Sequence, residues 1–102
     1  MQFLHEALAA GATSNVLRTT IHSTLWVDIQ GTFNTETVTM EYSVDGGLNY
    51  VTFTADGVDQ TWTAQDQRVY NVPGGLYFRF TVSSGSGVDL DIHVDGTGLH
   101  LE

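Results

Sequence analysis

Four stretches of this chain repeat with a period of two residues, and that repeat limits the possible folds more than any other feature. Leu25, Val27 and Ile29 alternate with Trp26, Asp28 and Gln30. Val38, Met40, Tyr42 and Val44 alternate with Thr37, Thr39, Glu41 and Ser43. Leu76, Phe78, Phe80 and Val82 alternate with Tyr77, Arg79, Thr81 and Ser83. Val88, Leu90, Ile92 and Val94 alternate with Asp89, Asp91, His93 and Asp95. Successive side chains of an extended strand point to opposite faces. Each stretch therefore carries one apolar and one polar face, as a half-buried antiparallel strand does. Fourteen threonines and eleven valines agree, since β-branched side chains fit a pleated surface. The parity predicts a core containing Val38, Met40, Tyr42, Val44, Phe78, Phe80, Leu90 and Ile92.

Glycine-rich turns punctuate these runs. Asp45-Gly46-Gly47, Asp56-Gly57, Pro73-Gly74-Gly75, Ser84-Gly85-Ser86-Gly87 and Asp95-Gly96 read as hairpin-type turns. Further strands fit at 16–22, 25–33, 49–54, 60–63 and 67–72, with a short last one near 98–101. Short strands at this spacing predict an all-β fold, an antiparallel β-sandwich (jelly-roll or Ig-like) of seven to nine strands. The 102 residues suffice for one such domain, placed here at 16–102.

Residues 1–15 stand apart. Phe3, Leu4, Ala7 and Leu8 fall near helical spacing, and Gly11 stops any helix early. An isolated segment this short is not stable alone. It is expected to be an N-terminal arm, a short strand or a turn of helix, that orders by docking. Phe3, Leu4 and Leu8 are its contact residues. The stretch lacks a basic leader region, so no secretory signal is expected, and no run is apolar enough for a membrane span.

Charge narrows the function classes. The net charge is -9, from twelve acids and three arginines without lysine. Arg18, Arg68 and Arg79 are too scattered for a phosphate-binding patch, so neither nucleic acid nor an anionic membrane is an expected partner. Cysteine is absent, which excludes disulfides, thiolate metal sites and thiol nucleophiles.

No motif points to catalysis. His5, His22, His93 and His100 lack metal-binding spacing, and no nucleophile elbow is present. Asp89, Asp91 and Asp95 share one strand face with His93. Alternate side chains of a strand lie about 6.5–7 Å apart, too far to share one ion unaided, so the carboxylates are expected to be solvated and no metal or cofactor is expected. They also oppose edge-to-edge aggregation. Ser43-Val44-Asp45-Gly46-Gly47-Leu48-Asn49-Tyr50 resembles an Asp-box with tyrosine in place of the terminal tryptophan, and reads as a well-made hairpin. The aromatics are less easily placed. Trp26 and Tyr77 fall on polar faces, Tyr50 sits with Thr52 and Thr54, and Trp62 lies in the polar run Gln60-Thr61-Trp62-Thr63. Outward aromatics on a sandwich form a sugar platform, a subunit interface or cover beneath a loop.

The segments WVDIQGTF (26–33), TVTMEYSVDGGLNYV (37–51) and NVPGGLYFRFTVSSGSGVDLDIHVDG (71–96), behind a short apolar arm, resemble small structural proteins of tailed-bacteriophage virions. The resemblance implies a β-sandwich that coats or caps a capsid, or joins its tail or neck. The expected function is thus capsid decoration (cement) on the virion surface, without enzymatic activity, with the major capsid protein or other virion proteins as partners. A closed homo-oligomer is expected, a trimer suiting local threefold positions. The expected interface residues are Phe3, Leu4, Leu8, Trp26, Trp62 and Tyr77. The alternatives are a carbohydrate-binding sandwich, with Trp26, Tyr50, Tyr70 or Tyr77 stacking on sugar rings, and a tail or neck protein.

Overall fold

Alternation produces strands here, and the strands form two packed antiparallel sheets. The computed structural model describes residues 2–84 and 90–102, with residues 2–7 described through their backbone. In chain order the strands are β1 (Gln2–Leu8), β2 (Leu17–Thr19), β3 (Ser23–Gly31), β4 (Val38–Ser43), β5 (Val51–Thr52), β6 (Thr54–Ala55), β7 (Val58–Asp59), β8 (Thr61–Trp62), β9 (Asp66–Val72), β10 (Tyr77–Val82), β11 (Leu90–Asp95) and β12 (Leu99–Leu101). One sheet has the order β1-β11-β3-β9. The other runs β12-β2-β10-β4-β5, with β8 also pairing with β4, and β6 and β7 form a separate hairpin. The fold is a β-sandwich, with more strands than the seven to nine expected. The excess comes from the N-terminal segment, from division of the 49–54 stretch and from the short strand β7.

Outside the short strands β5–β8, successive strands alternate between sheets. β2, β4 and β10 belong to the six-stranded sheet, while β3, β9 and β11 belong to the four-stranded one. Only two of the five expected turns therefore close hairpins. Asp45-Gly46-Gly47 joins the paired strands β4 and β5, and Asp56-Gly57 joins β6 and β7. The latter two residues have φ of 54° and 76°, the left-handed pair that a tight two-residue hairpin needs. The strands flanking the other three glycine-rich segments lie in different sheets, and residues 85–87 of one of those segments lie outside the described residues. Glycine permits the turn but does not choose the partner strand.

The two inner faces form one core. Val38, Met40, Phe78, Phe80, Leu90 and Ile92 are buried as expected. Tyr42 is half-buried at the core's edge, where its ring meets Phe53 edge-on at 5.8 Å. Val44 corrects the expectation, being 75% exposed. The strand ends at Ser43, whose hydroxyl bonds into the turn, so the parity no longer holds one residue later. Val88 and Asp89 lie outside the described residues.

The N-terminal segment is also revised. Residues 2–8 form an edge strand antiparallel to β11, with Leu8 opposite Leu90 and His5 opposite His93. A register shift separates Gln2 from Leu4, and in the regular register that follows Glu6 shares the parity of Leu4 and Leu8, so the sequence shows no clean apolar alternation there. The chain then crosses to β10. Ser14 N–H donates to the Phe80 carbonyl at 2.8 Å, and Phe80 N–H donates to Ser14 Oγ at 2.9 Å. The segment expected to dock elsewhere docks on its own sandwich.

Candidate binding surface

The outer face of the four-stranded sheet carries the most chemistry. Alternation along β3 buries Leu25, Val27 and Ile29 and turns Trp26 and Asp28 outward. The same parity turns Asp91, His93 and Asp95 outward on β11, and Gln67, Val69 and Asn71 outward on β9. Register then sets the neighbours. Asp95, Trp26 and Val69 form one cross-strand row, and His93, Asp28 and Gln67 form the next. Directly opposed residues have Cβ atoms about 4.5–5.5 Å apart, so the six side chains form one patch.

Trp26 is 50% exposed in the middle of this patch, and Val69 beside it is exposed as well. Trp26, Asp28, Gln67, His93 and Asp95 line a shallow hollow of about 200 Å³. Asp28 Oδ1 accepts a hydrogen bond from Gln30 Nε2 at 2.7 Å, which holds the carboxylate at the rim. The hollow thus has a flat aromatic wall and acceptor-rich edges. Its size is below the roughly 300 Å³ typical of small-molecule pockets. A larger hollow of about 440 Å³ lies between the β6–β7 hairpin and β9, lined partly by Phe53, Tyr70 and Pro73. Thr54, Asp56, Tyr70 and Asn71 are its polar lining residues, and Asp56 is the one that carries a charge.

The outer face of the other sheet is built differently. Tyr77 is half-buried there, and Arg79 pairs with Glu41 at 2.7 Å while lying 3.9 Å from the centre of the Tyr50 ring. The Asp-box-like hairpin adjoins this face. Ser43 Oγ donates to Asp45 Oδ1 and accepts from Gly47 N–H at 2.9 Å. Asp45 in turn accepts from Asn49 N–H at 3.0 Å and from Asn49 Nδ2 at 2.8 Å. Gly47 has a φ of 88°, and a Cβ there would lie 3.2 Å from the Tyr50 hydroxyl oxygen, so the turn suits glycine on both counts.

These bonds, the Ser43 hydroxyl first and the Asn49 donors next, lower the Asp45 pKa from 3.8 to about 2. A carboxylate with a depressed native pKa contributes stability above its unfolded value and loses it as pH falls through the native value. The Asp45 network is therefore expected to persist at pH 4 and to open as pH approaches 2. An NMR titration of the Asn49 amide checks this, and Asp45→Asn is expected to abolish that titration step.

The expected interface residues do not converge. Trp26 is exposed on the four-stranded sheet, and Tyr77 lies on the outside of the opposite sheet. The side chains of Phe3 and Leu4 lie outside the described residues, and Leu8 is buried at 4% exposure. Trp62 is a correction, being fully buried. β8 pairs with Val38 and Thr39 and delivers Trp62 to the core, where its ring meets Phe80 at 6.2 Å. The Arg68 guanidinium covers the indole at 4.3 Å. Two strand residues in a polar run carry too little periodicity to reveal this. Gln67 and Val69 were missed as surface contributors. Their parity in 67–72 was readable, but their position beside Trp26 depends on β9 pairing with β3.

In comparisons with known proteins, the chain matches no family model, no curated protein and no solved structure.

Proposed function

We propose that this protein is a structural component of a bacteriophage virion, of the capsid-decorating kind, and that it acts by binding. The observation that carries this reading is the half-exposed Trp26, with Val69 beside it, at the centre of a polar-rimmed sheet face. A large aromatic surrounded by polar side chains is the usual anchor of a protein–protein interface. The resemblance of residues 26–33, 37–51 and 71–96 to virion proteins supplies the location, on the capsid surface beside the major capsid protein. The sandwich needs no further element to present this face.

Sugar binding is less well supported. Its four candidate aromatics form no planar row. Tyr70 is buried and donates to Gln60 Oε1, Tyr50 stacks with Arg79, and Tyr77 lies half-buried on the opposite sheet from Trp26.

The test is binding of purified protein to capsids that lack it. Trp26→Ala is expected to melt near the wild-type temperature, because the side chain packs on the surface. It is expected to lose at least about 30-fold in capsid affinity, the effect of removing a hot-spot tryptophan. Full occupancy by the variant overturns the proposal, as does retention on immobilised polysaccharide without capsid binding. Light scattering of the free protein tests the proposed trimer.

A further inference from the structure

We propose that the larger hollow, between the β6–β7 hairpin and β9, is a groove that receives an extended, basic segment of a partner protein, which adds to the free edge of β9 as a further strand of the four-stranded sheet. The site lies apart from the Trp26 contact and does not require it.

β9 ends the four-stranded sheet and is paired with β3 on one side only. Its seven residues form no backbone–backbone hydrogen bond outside that ladder among the described residues. β6 is likewise paired with β7 on one side only. The groove of about 440 Å³ lies between these two strands, and its lining shows that their edges are its walls. Two unbroken runs line it, residues 53–56 and residues 69–73. Consecutive strand residues point to opposite faces, so a space that touches both parities lies along the backbone edge and not over one face. The run 69–73, at about 3.3 Å per residue, makes the β9 wall about 16 Å long, room for four or five residues of an added strand. Residues 69–72 hold no charge and no proline, the devices that usually blunt an open edge.

In strand addition the open backbone groups supply affinity and alternate side chains supply specificity. One parity of the added strand meets the Phe53 and Tyr70 rings, which touch edge-on at 5.4 Å, and is therefore apolar. The other parity continues the outer face beside exposed Val69 and Asn71, where polar residues fit. Charge selects the occupant. Asp56 lines the groove, and Asp59 stands opposite Thr54 in the β6–β7 ladder. Both are exposed, and neither forms an ion pair among the described residues, while the three arginines pair with Glu102, Asp66 and Glu41. A second copy would bring a net charge of -9 and no lysine to this site, so a basic segment of a different protein fits it better.

The experiment follows the backbone amides of the isotope-labelled protein by NMR while acetyl-Lys-Val-Thr-Val-Lys-Val-Thr amide is added. Amides of residues 53–56 and 69–72 are expected to shift and saturate with a dissociation constant on the order of 1 mM, weak because the free peptide must order its backbone. At saturation, hydrogen exchange of the β9 amides that lack a partner on β3 is expected to slow at least about fivefold. Two further peptides are N-methylated at alternate residues, one in each parity. At least one of them is expected to bind at least about tenfold more weakly, since it has lost the donors facing β9. Glutamate in place of both lysines is expected to weaken binding at least about fivefold, and Asp56→Asn to weaken the lysine peptide by about twofold or more. Binding by both methylated peptides at the parent strength overturns the proposal, as does equal binding of the lysine and glutamate peptides. So does the absence of shifts, or their confinement to the Trp26 face. Protection of the β9 edge that rises with protein concentration before peptide is added assigns the edge to a second copy and also overturns it. Trp26→Ala is expected to bind the peptide within about twofold of wild type. If the peptide fails while Trp26→Ala abolishes capsid binding, only the β9 site falls. If the peptide binds while Trp26→Ala leaves capsid binding intact, the β9 site stands and the Trp26 reading falls.

Discussion

Phe80→Ala is expected to remove about 3–5 kcal/mol of stability, a large part of the roughly 5–15 kcal/mol available to a small domain. Phe80 is fully buried at the centre of β10, opposite Met40 on β4 and against the Trp62 ring. Its removal leaves a cavity that strands pinned on both sides cannot close. One edge of β10 is held by residues 11–14 and by β2, and the other by β4. The melting temperature is expected to fall by roughly 12–40 °C, taking about 4–8 °C per kcal/mol. An unchanged melt would mean that the β10 register is wrong.

Deleting residues 2–12 is expected to have a comparable or larger effect. The deletion removes β1 and its ladder to β11, the buried Leu8, and the Ala12 carbonyl that accepts from Val82 N–H at 2.9 Å. Loss of the Leu8 side chain alone is worth about 2–5 kcal/mol. It also leaves β11 as a new sheet edge, which invites aggregation. Urea unfolding of the truncated chain and of Leu8→Ala separates the strand from its side chain. If the truncated chain unfolds at the wild-type midpoint, β1 is peripheral and the arm expectation returns.

If the proposed reading holds, a preformed sheet face lowers the ordering cost of binding. Trp26, Asp28 and the β11 acids sit on the two central strands of the four-stranded sheet, each paired on both sides. Their backbone is fixed by ladders rather than by loops, so little ordering is left for the binding step. The Asp45 hairpin lies on the other sheet, and its opening at low pH is expected to leave the Trp26 face intact.

What the residues alone determined was local. Alternation placed Leu25, Val27 and Ile29 inward and Trp26 and Asp28 outward, because strand geometry sets the facing of each side chain without reference to its neighbours. The same reasoning placed Phe78, Phe80, Leu90 and Ile92 in the core. It failed where local geometry is interrupted: at the Gln2/Leu4 register shift, at Val44 beyond a strand end, and at Trp62 on a two-residue strand. Tertiary structure alone decided which strands became neighbours. The pairing of β3 with β11 and β9 put Asp95 and Val69 on either side of Trp26, although they lie 69 and 43 positions away in sequence. Strand pairing uses the same backbone donors and acceptors in every strand. The choice of partner therefore rests on how two whole sheets close over one core, and no single segment carries that information.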